Sequence, residues 1–451
     1  MTEGPKGWEQ HLTRPIDAAS LVAFRVMFGL MMAFGLARFV LQGWIDKLYV
    51  GPNFFFKYPG FEWVTVPDRA GLYTLFAVLF VSALLIALGL FYRAATIVFF
   101  FAFAYLQLLD VTNYLNHYYF VLLLAGWLVV LPLHRHYSLD ARRRPALASA
   151  TLPAWCLYAL RFQIGVLYVY AGLAKLSVDW LFHAQPLQIW LLNRSETPVL
   201  GPLFALPATA YLMSWAGFFY DLSIPFWLSF RRTRPYAYLV VLTFHFVTHV
   251  LFEIGMFPLI MSVVTLLFFD PSWPRRFVRS APAPIAAAST SRLSRPALAV
   301  FAVYAAVQVL VPLRHFVVPG DVLWNEVGMR YAWKVMVREK NGSISYRVRS
   351  KATGREWRVS AHEYLTWRQA NEMSGQPDLI LQLAHHIAKD FGAKGLGPVE
   401  VYADALVSWN GRAPARLIDP NIDLSAQPDT VLTAQYILPE PPEPPIGRPL
   451  Y

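Results

Sequence analysis

Long apolar runs alternate with short polar segments over the first two thirds of the chain. Runs that exceed about eighteen residues or approach that length predict helices that cross a bilayer rather than the core of a large soluble protein. They lie at Ser20–Leu41, Gly71–Phe91, Ala95–Leu109, Tyr118–Leu133, Trp155–Lys175, Thr209–Phe230, Tyr236–Phe252, Gly255–Phe269 and Pro296–Leu313. The seventh and eighth form one apolar run of roughly 35 residues, about 50 Å as a helix against about 30 Å of hydrocarbon. A reversal near Glu253-Ile254-Gly255 divides it into two; one broken or tilted span is the alternative.

After Leu313 the pattern changes. Tyr331–Val337, Ser343–Ser350 and Glu356–Ser360 alternate as strands, with Asn341-Gly342 predicting a hairpin turn. Ala361–Met373 and Asp378–Phe391 predict helices, and Val399–Ser408 another strand closed by Asn410-Gly411. The expected fold class is mainly α. A polytopic helical membrane domain of eight or nine spans covers residues 1–315, and a small α+β extramembrane domain covers 316–437. A proline-rich tail covers 438–451, and the Ala/Pro/Ser-rich stretch Ser280–Ser294 predicts a flexible linker.

A net charge of +11 at pH 7 suggests a nucleic-acid partner. The placement of the arginines argues against it, because they sit in short segments between apolar runs, where a membrane protein keeps them. Arg135 with Arg142 to Arg144, Arg231 with Arg232 and Arg234, and Arg275 with Arg276, Arg279, Arg292 and Arg295 all fall inside if the N-terminus is inside. The loops left outside carry only Lys47, Lys57, Arg69 and Arg194. The expected location is the inner membrane of the cell, multi-pass, with a cytoplasmic N-terminus and the C-terminal domain on the outer, periplasmic face. The lone cysteine, Cys156, excludes an intrachain disulfide and a cysteine-based metal site. Met1–Ser20 lacks an apolar core and a cleavage site, so no signal peptide is expected.

Candidate chemistry gathers at one depth. Lys175 ends the fifth run, about twenty residues and roughly 30 Å from Trp155. The loop Asp110–His117 and His249 with Glu253 reach the same outer boundary. A lysine there either snorkels to the headgroups or, if sealed from water, gives up its proton and becomes a base. His117 suits a cap or carbonyl contact as well as a functional role. His245 and His249 stand one helical turn apart, a metal-compatible spacing, but no third ligand is evident and packing or lining a polar cavity fits them better. No metal is predicted. Asp221, deep in the sixth run, needs a cation, and Arg161 or Arg25 is expected to supply it in a structural role. Neither a phosphate-cradling glycine loop, a dinucleotide fingerprint nor a Gly-x-Ser-x-Gly motif is visible.

Several spaced segments resemble the vitamin K-dependent gamma-glutamyl carboxylase family and its bacterial HTTM relatives. They are Ser20–Gly29, Leu109-Asp110 with Asn116-His117-Tyr118, Ala171–Trp180, Phe252–Phe257, Pro271–Pro274, Gly328–Val337 and Ile418–Asp423. The resemblance spans Asp17 to about Asp423. It implies that Lys175 is the catalytic base, that His117 is functional, and that Asn116 orients it. The implied cosubstrate is reduced vitamin K or menaquinol, consumed with O₂. The resulting basic oxygenated species removes a γ-proton from a peptide glutamate, and CO₂ adds to give γ-carboxyglutamate. The implied partners are a membrane quinol, the lipid bilayer and a glutamate-containing peptide or protein, with no nucleic acid. Quinol epoxidation without carboxylation, or a non-catalytic membrane binding or transport role, are the alternatives. Two features depart from the family: Ala174 stands where a second lysine is usual, and the structural disulfide of animal carboxylases cannot form.

Overall fold

The computed structural model describes residues 7–278, 295–430, 435–442 and 444–445. The predicted linker at Ser280–Ser294 and, of the predicted tail, Glu443 and everything beyond Pro445 lie outside these residues. Among the described residues, four helices are long and apolar enough to cross a membrane: Ala19–Leu41, Arg69–Leu88, Trp155–Ala174 and Arg295–Val317. This corrects the expected eight or nine spans. The apolar helices Tyr92–Leu108 and Asn116–Val130 have 17 and 15 residues. They rise roughly 22–26 Å, short of a hydrocarbon core of about 30 Å. Pro207–Ser229 and Arg234–Leu251 are long, but Asp221, His245, Thr248 and His249 interrupt their apolar character. The run from Tyr236 to Phe269 is broken: one helix ends at Leu251, the chain passes Gly255 at φ +61°, and the next helix begins at Phe257.

The helices pack in sequence. Ala19–Leu41 lies on Arg69–Leu88, which lies on Tyr92–Leu108, which lies on Asn116–Val130; Trp155–Ala174 packs chiefly on Pro207–Ser229. A short antiparallel pair, β1 (Pro15–Asp17) with β2 (Thr151–Pro153), ties the start of the first long helix to the start of the Trp155 helix. The buried Arg25 guanidinium donates to the carbonyls of Leu133 at 2.8 Å and Tyr137 at 2.7 Å. It therefore satisfies loop carbonyls rather than a carboxylate.

The C-terminal domain is an antiparallel sheet backed by a helix. Its strands are β3 (Lys340–Ser350), β4 (Glu356–Ser360), β5 (Val399–Trp409) and β6 (Ala415–Arg416), ordered β4-β3-β5-β6. β5 buries Val399, Val401, Ala403, Ala405 and Val407 on one face, the period of two that a half-covered sheet requires. Leu379, Leu383 and Ile387 of the Pro377–Ala393 helix complete that core. Three local expectations are corrected. Asn341-Gly342 is not a turn but sits inside β3, paired with Ser408 and Val407. Gly342 lies against Ser374, where a Cβ would meet the Oγ at 3.0 Å. Tyr331–Val337 is not a strand but an irregular strap, with Tyr331, Trp333 and Met336 at positive φ. The predicted helix from Ala361 is a short 3₁₀ turn, followed by a fresh helix at Trp367 that a Thr366–Gln369 capping box initiates.

Among the described residues two large apolar cores form, beside a small cluster of Ala184, Leu191, Phe204, Ala210 and Leu251. One belongs to the helices. The other joins Trp324, Tyr346, Val401 and Trp409 of the sheet domain to Ala174, Trp180, Leu181 and Phe218 of the helical domain.

Candidate functional site

Lys175 caps the Trp155–Ala174 helix, and two residues later Ser177 caps a short helix, Val178–His183, by accepting from the Trp180 backbone N–H. The lysine thus stands on a tight hinge, and its side chain folds back into the protein. It is only 4% exposed, so it does not snorkel. Its Nζ donates to Asp221 Oδ2 at 2.7 Å, to the Ala171 carbonyl at 3.2 Å and to the Val335 carbonyl at 3.3 Å. Three acceptors match the three N–H bonds of an ammonium. The indole of Trp180 lies 5.2 Å from Nζ.

The pairing with Asp221 corrects the expected Arg161 or Arg25 partner. Arg161 donates instead to the carbonyls of Leu267, Phe268 and Phe269. The cause is close helix packing at Gly172. A Cβ there would sit 2.7 Å from the Leu222 backbone nitrogen, so only glycine lets the helix bearing Lys175 approach the one bearing Asp221 this closely. The helix that packs on the one bearing Asp221 carries Arg161 and ends at Lys175, and the packing decides which of the two cations meets the carboxylate.

Lys175 and Asp221 line a small cavity of about 70 Å³ together with Tyr168, His245 and Thr248. That holds about two waters at roughly 30 Å³ each. Tyr168, Tyr220 and His245 form a buried triangle there, with hydroxyl and Nε2 atoms 3.2–3.3 Å apart. Sequence reasoning did not single out either tyrosine. His249, one turn further along, lines a different cavity, so the two histidines do not converge on one ligand. Among the described residues, no group of three His, Cys, Asp or Glu side chains is arranged to hold a metal.

His117 and Asn116 line that second cavity, of about 1240 Å³. They start the Asn116–Val130 helix after the turn Val111–Asn113. Asn116 accepts from the Tyr114 hydroxyl at 3.1 Å and donates to the Lys334 carbonyl at 3.4 Å. The His117 ring lies against Tyr118 and Phe257. Nearby, burial pushes the Asp110 carboxyl above its usual range, against hydrogen bonds from the Thr112 N–H and from Gln369 of the sheet domain. The large cavity mixes apolar walls, including Met32, Phe39, Phe103 and Met256, with Arg38, Lys47, Arg194 and Arg368. Lys175 and His117 therefore occupy adjacent cavities, not one. Phe252, Ile254, Phe257, Val335 and Met336 line both and form the wall between them.

Residues 13–273 match the HTTM domain. The chain belongs to the HTTM family. Residues 293–443 match the vitamin K-dependent gamma-carboxylase lumenal domain, so the chain carries both parts in tandem. No solved structure matches it. The Lys175–Asp221 pair lies within the HTTM domain, and the lumenal domain contributes Val335 to it.

Removing one member of a buried ion pair strands the other. Asp221→Ala is expected to cost about 3–5 kcal/mol, read as a lower melting temperature in detergent. Lys175→Met with Asp221→Leu, which removes both charges, should recover most of it. A double variant as unstable as Asp221→Ala alone would contradict the pairing.

Proposed function

We propose that the protein is a gamma-carboxylase-like membrane enzyme that couples oxygenation of a quinol to carboxylation of a peptide glutamate. The observation that carries this reading is the Lys175–Asp221 pair, shielded from bulk solvent and backed by polar groups on a small cavity. The matched HTTM and gamma-carboxylase lumenal domains support it. The neighbouring cavity suits a quinol: about 1240 Å³ with Phe39, Phe103, Phe257 and Met256 around its apolar side exceeds the usual small-ligand pocket of roughly 300–1,000 Å³. The remaining space and its cationic side chains suit an extended acidic peptide. When bound, reduced vitamin K or menaquinol supplies the electrons for O₂ and, through that reaction, the strong base needed at a glutamate γ-carbon; CO₂ is the group added.

The residues of the chain supply the first proton transfer. The ion pair and its neutral counterpart, amine with carboxylic acid, differ by one proton moved along a 2.7 Å hydrogen bond. Such a shift trades two buried charges for two neutral groups. In the neutral form the carboxylic acid donates to the Nζ lone pair, so Nζ takes a proton from a quinol hydroxyl only as that O–H turns away, giving an ammonium beside a neutral acid and a quinolate anion. A quinol hydroxyl has a pKa near 10 by analogy with tyrosine, close enough to an amine for transfer in either direction. The carbonyls of Ala171 and Val335 orient Nζ. Transfer requires a hydroxyl or a bridging water to reach Nζ past Val335 and Met336. His117, with Asn116 beside it, is proposed to orient the ligand on the other side of that wall.

The sheet domain is proposed to face away from the cytoplasm. Arg275 pairs with Asp17 and reaches His136 at the Trp155 end of the lysine helix, opposite the end that meets the sheet domain, as the positive-inside rule favours. The matched domain is also described as lumenal. A C-terminal reporter that works only outside the cytoplasm should be active; activity from a cytoplasm-only reporter alone would contradict this.

Lys175→Ala should abolish quinol oxidation in a folded protein. A small exogenous amine is expected to restore part of it, increasingly as pH rises and more of the amine is unprotonated. Undiminished turnover in Lys175→Ala without added amine would rule out the lysine as base.

A further inference from the structure

Lys175 is held by contacts from two domains, and they close into a ring. Four residues after the lysine, Asp179 receives both arms of Arg412 at 2.7 and 2.8 Å and Asn410 Nδ2 at 3.0 Å. Both partners come from the turn after β5. The side chains of Asp179 and Arg412 are 7% and 11% exposed, so this is a buried forked pair rather than a surface one. Asn410 also reaches the Val337 carbonyl at 3.5 Å. Val337 ends the irregular strap whose Val335 carbonyl accepts from Lys175 and whose Lys334 carbonyl accepts from Asn116. The strap has Tyr331, Trp333 and Met336 at φ +63°, +55° and +52°, a conformation that costs energy for side-chain-bearing residues and persists only where its surroundings hold it. Trp180, next to Asp179, places its ring beside Nζ and shares the apolar core of the sheet domain.

We propose that Asp179 and Arg412 are positioning residues for Lys175. By clamping the turn after β5 to the lysine hinge, they hold the strap in its strained form, with the Val335 carbonyl on Nζ and Met336 in the wall between the cavities. The base site is then a two-domain structure, and the sheet domain acts in quinol oxidation. The role in turnover rests on the proposed function; the role in sealing the lysine does not.

The test uses the full-length chain in detergent or vesicles. Arg412→Ala should lower kcat for quinol oxidation by about tenfold or more, since a misplacement of about 1 Å can cost up to about a hundredfold. It should lower kcat more than it raises the quinol KM, because of the residues that line the large cavity only Val335 and Met336 belong to the strap. Arg412→Lys, which keeps the charge but loses the fork, should fall between, and it serves where Arg412→Ala does not fold. The reciprocal variant Asp179→Arg with Arg412→Asp should regain much of the loss. Independently of turnover, acylation of Lys175 by an amine-reactive reagent, read by mass spectrometry, should be slow in the wild type and fast in Arg412→Ala and Arg412→Lys. Slow acylation in both Arg412 variants would overturn the clamp even if Lys175 proves not to be the base. Fast acylation with wild-type kcat, while Lys175→Ala is inactive, would overturn the positioning role alone.

Discussion

A buried lysine needs a counter-charge, and most of the site follows from that constraint. Lys175 sits almost fully out of water beside Asp221. Bringing them together requires two helices to touch at Gly172, which permits the approach only because it has no side chain. The third ammonium hydrogen requires another acceptor, and the Val335 carbonyl of the sheet domain provides it. Desolvation thus ties the two domains to one atom. The same constraint bears on Ala174, the chain neighbour of Lys175. It is buried in the shared apolar core, and a second cation there would need a counter-charge of its own.

The adjacent cavities give the site a division of labour. The small one has room for little more than water and is lined by the lysine, the aspartate and two members of the tyrosine–histidine triangle. The large one has room for a ring system and more, and holds His117, Asn116 and four cationic side chains. A wall built from the turn around Gly255 and from the strap separates them. Both wall segments are irregular backbone between regular elements, the kind of segment that shifts without unfolding its neighbours.

Much of this was legible in the sequence. The long helix ending at Lys175, the break near Gly255, strands β4 and β5, and the turn at Asn410-Gly411 follow from apolar periodicity and turn chemistry. The span count did not hold, because apolar runs include loop residues and because helices carrying site residues such as Asp221 and His245 are less apolar than lipid-facing ones. Tyr331–Val337 alternates like a strand, yet its carbonyls bond to Asn116, Lys175 and Asn410 instead of to a neighbouring strand. The partner of Asp221 was missed because an ion pair between helices depends on their packing, which one sequence does not display. The wall between Lys175 and His117 was equally invisible, since residues that share a depth along the membrane normal need not share a cavity.

The central claim is that quinol oxidation at this site drives carboxylation of glutamate. It is tested most directly by incubating the purified protein with reduced vitamin K or menaquinol, O₂, CO₂ and a glutamate-containing peptide, then analysing both products by mass spectrometry. The account predicts quinone epoxide together with peptide heavier by one CO₂ at a glutamate, and neither product from Lys175→Ala. Epoxide without modified peptide, across peptides of varied sequence, would contradict the coupling, and unchanged quinol with unchanged peptide would contradict the account as a whole.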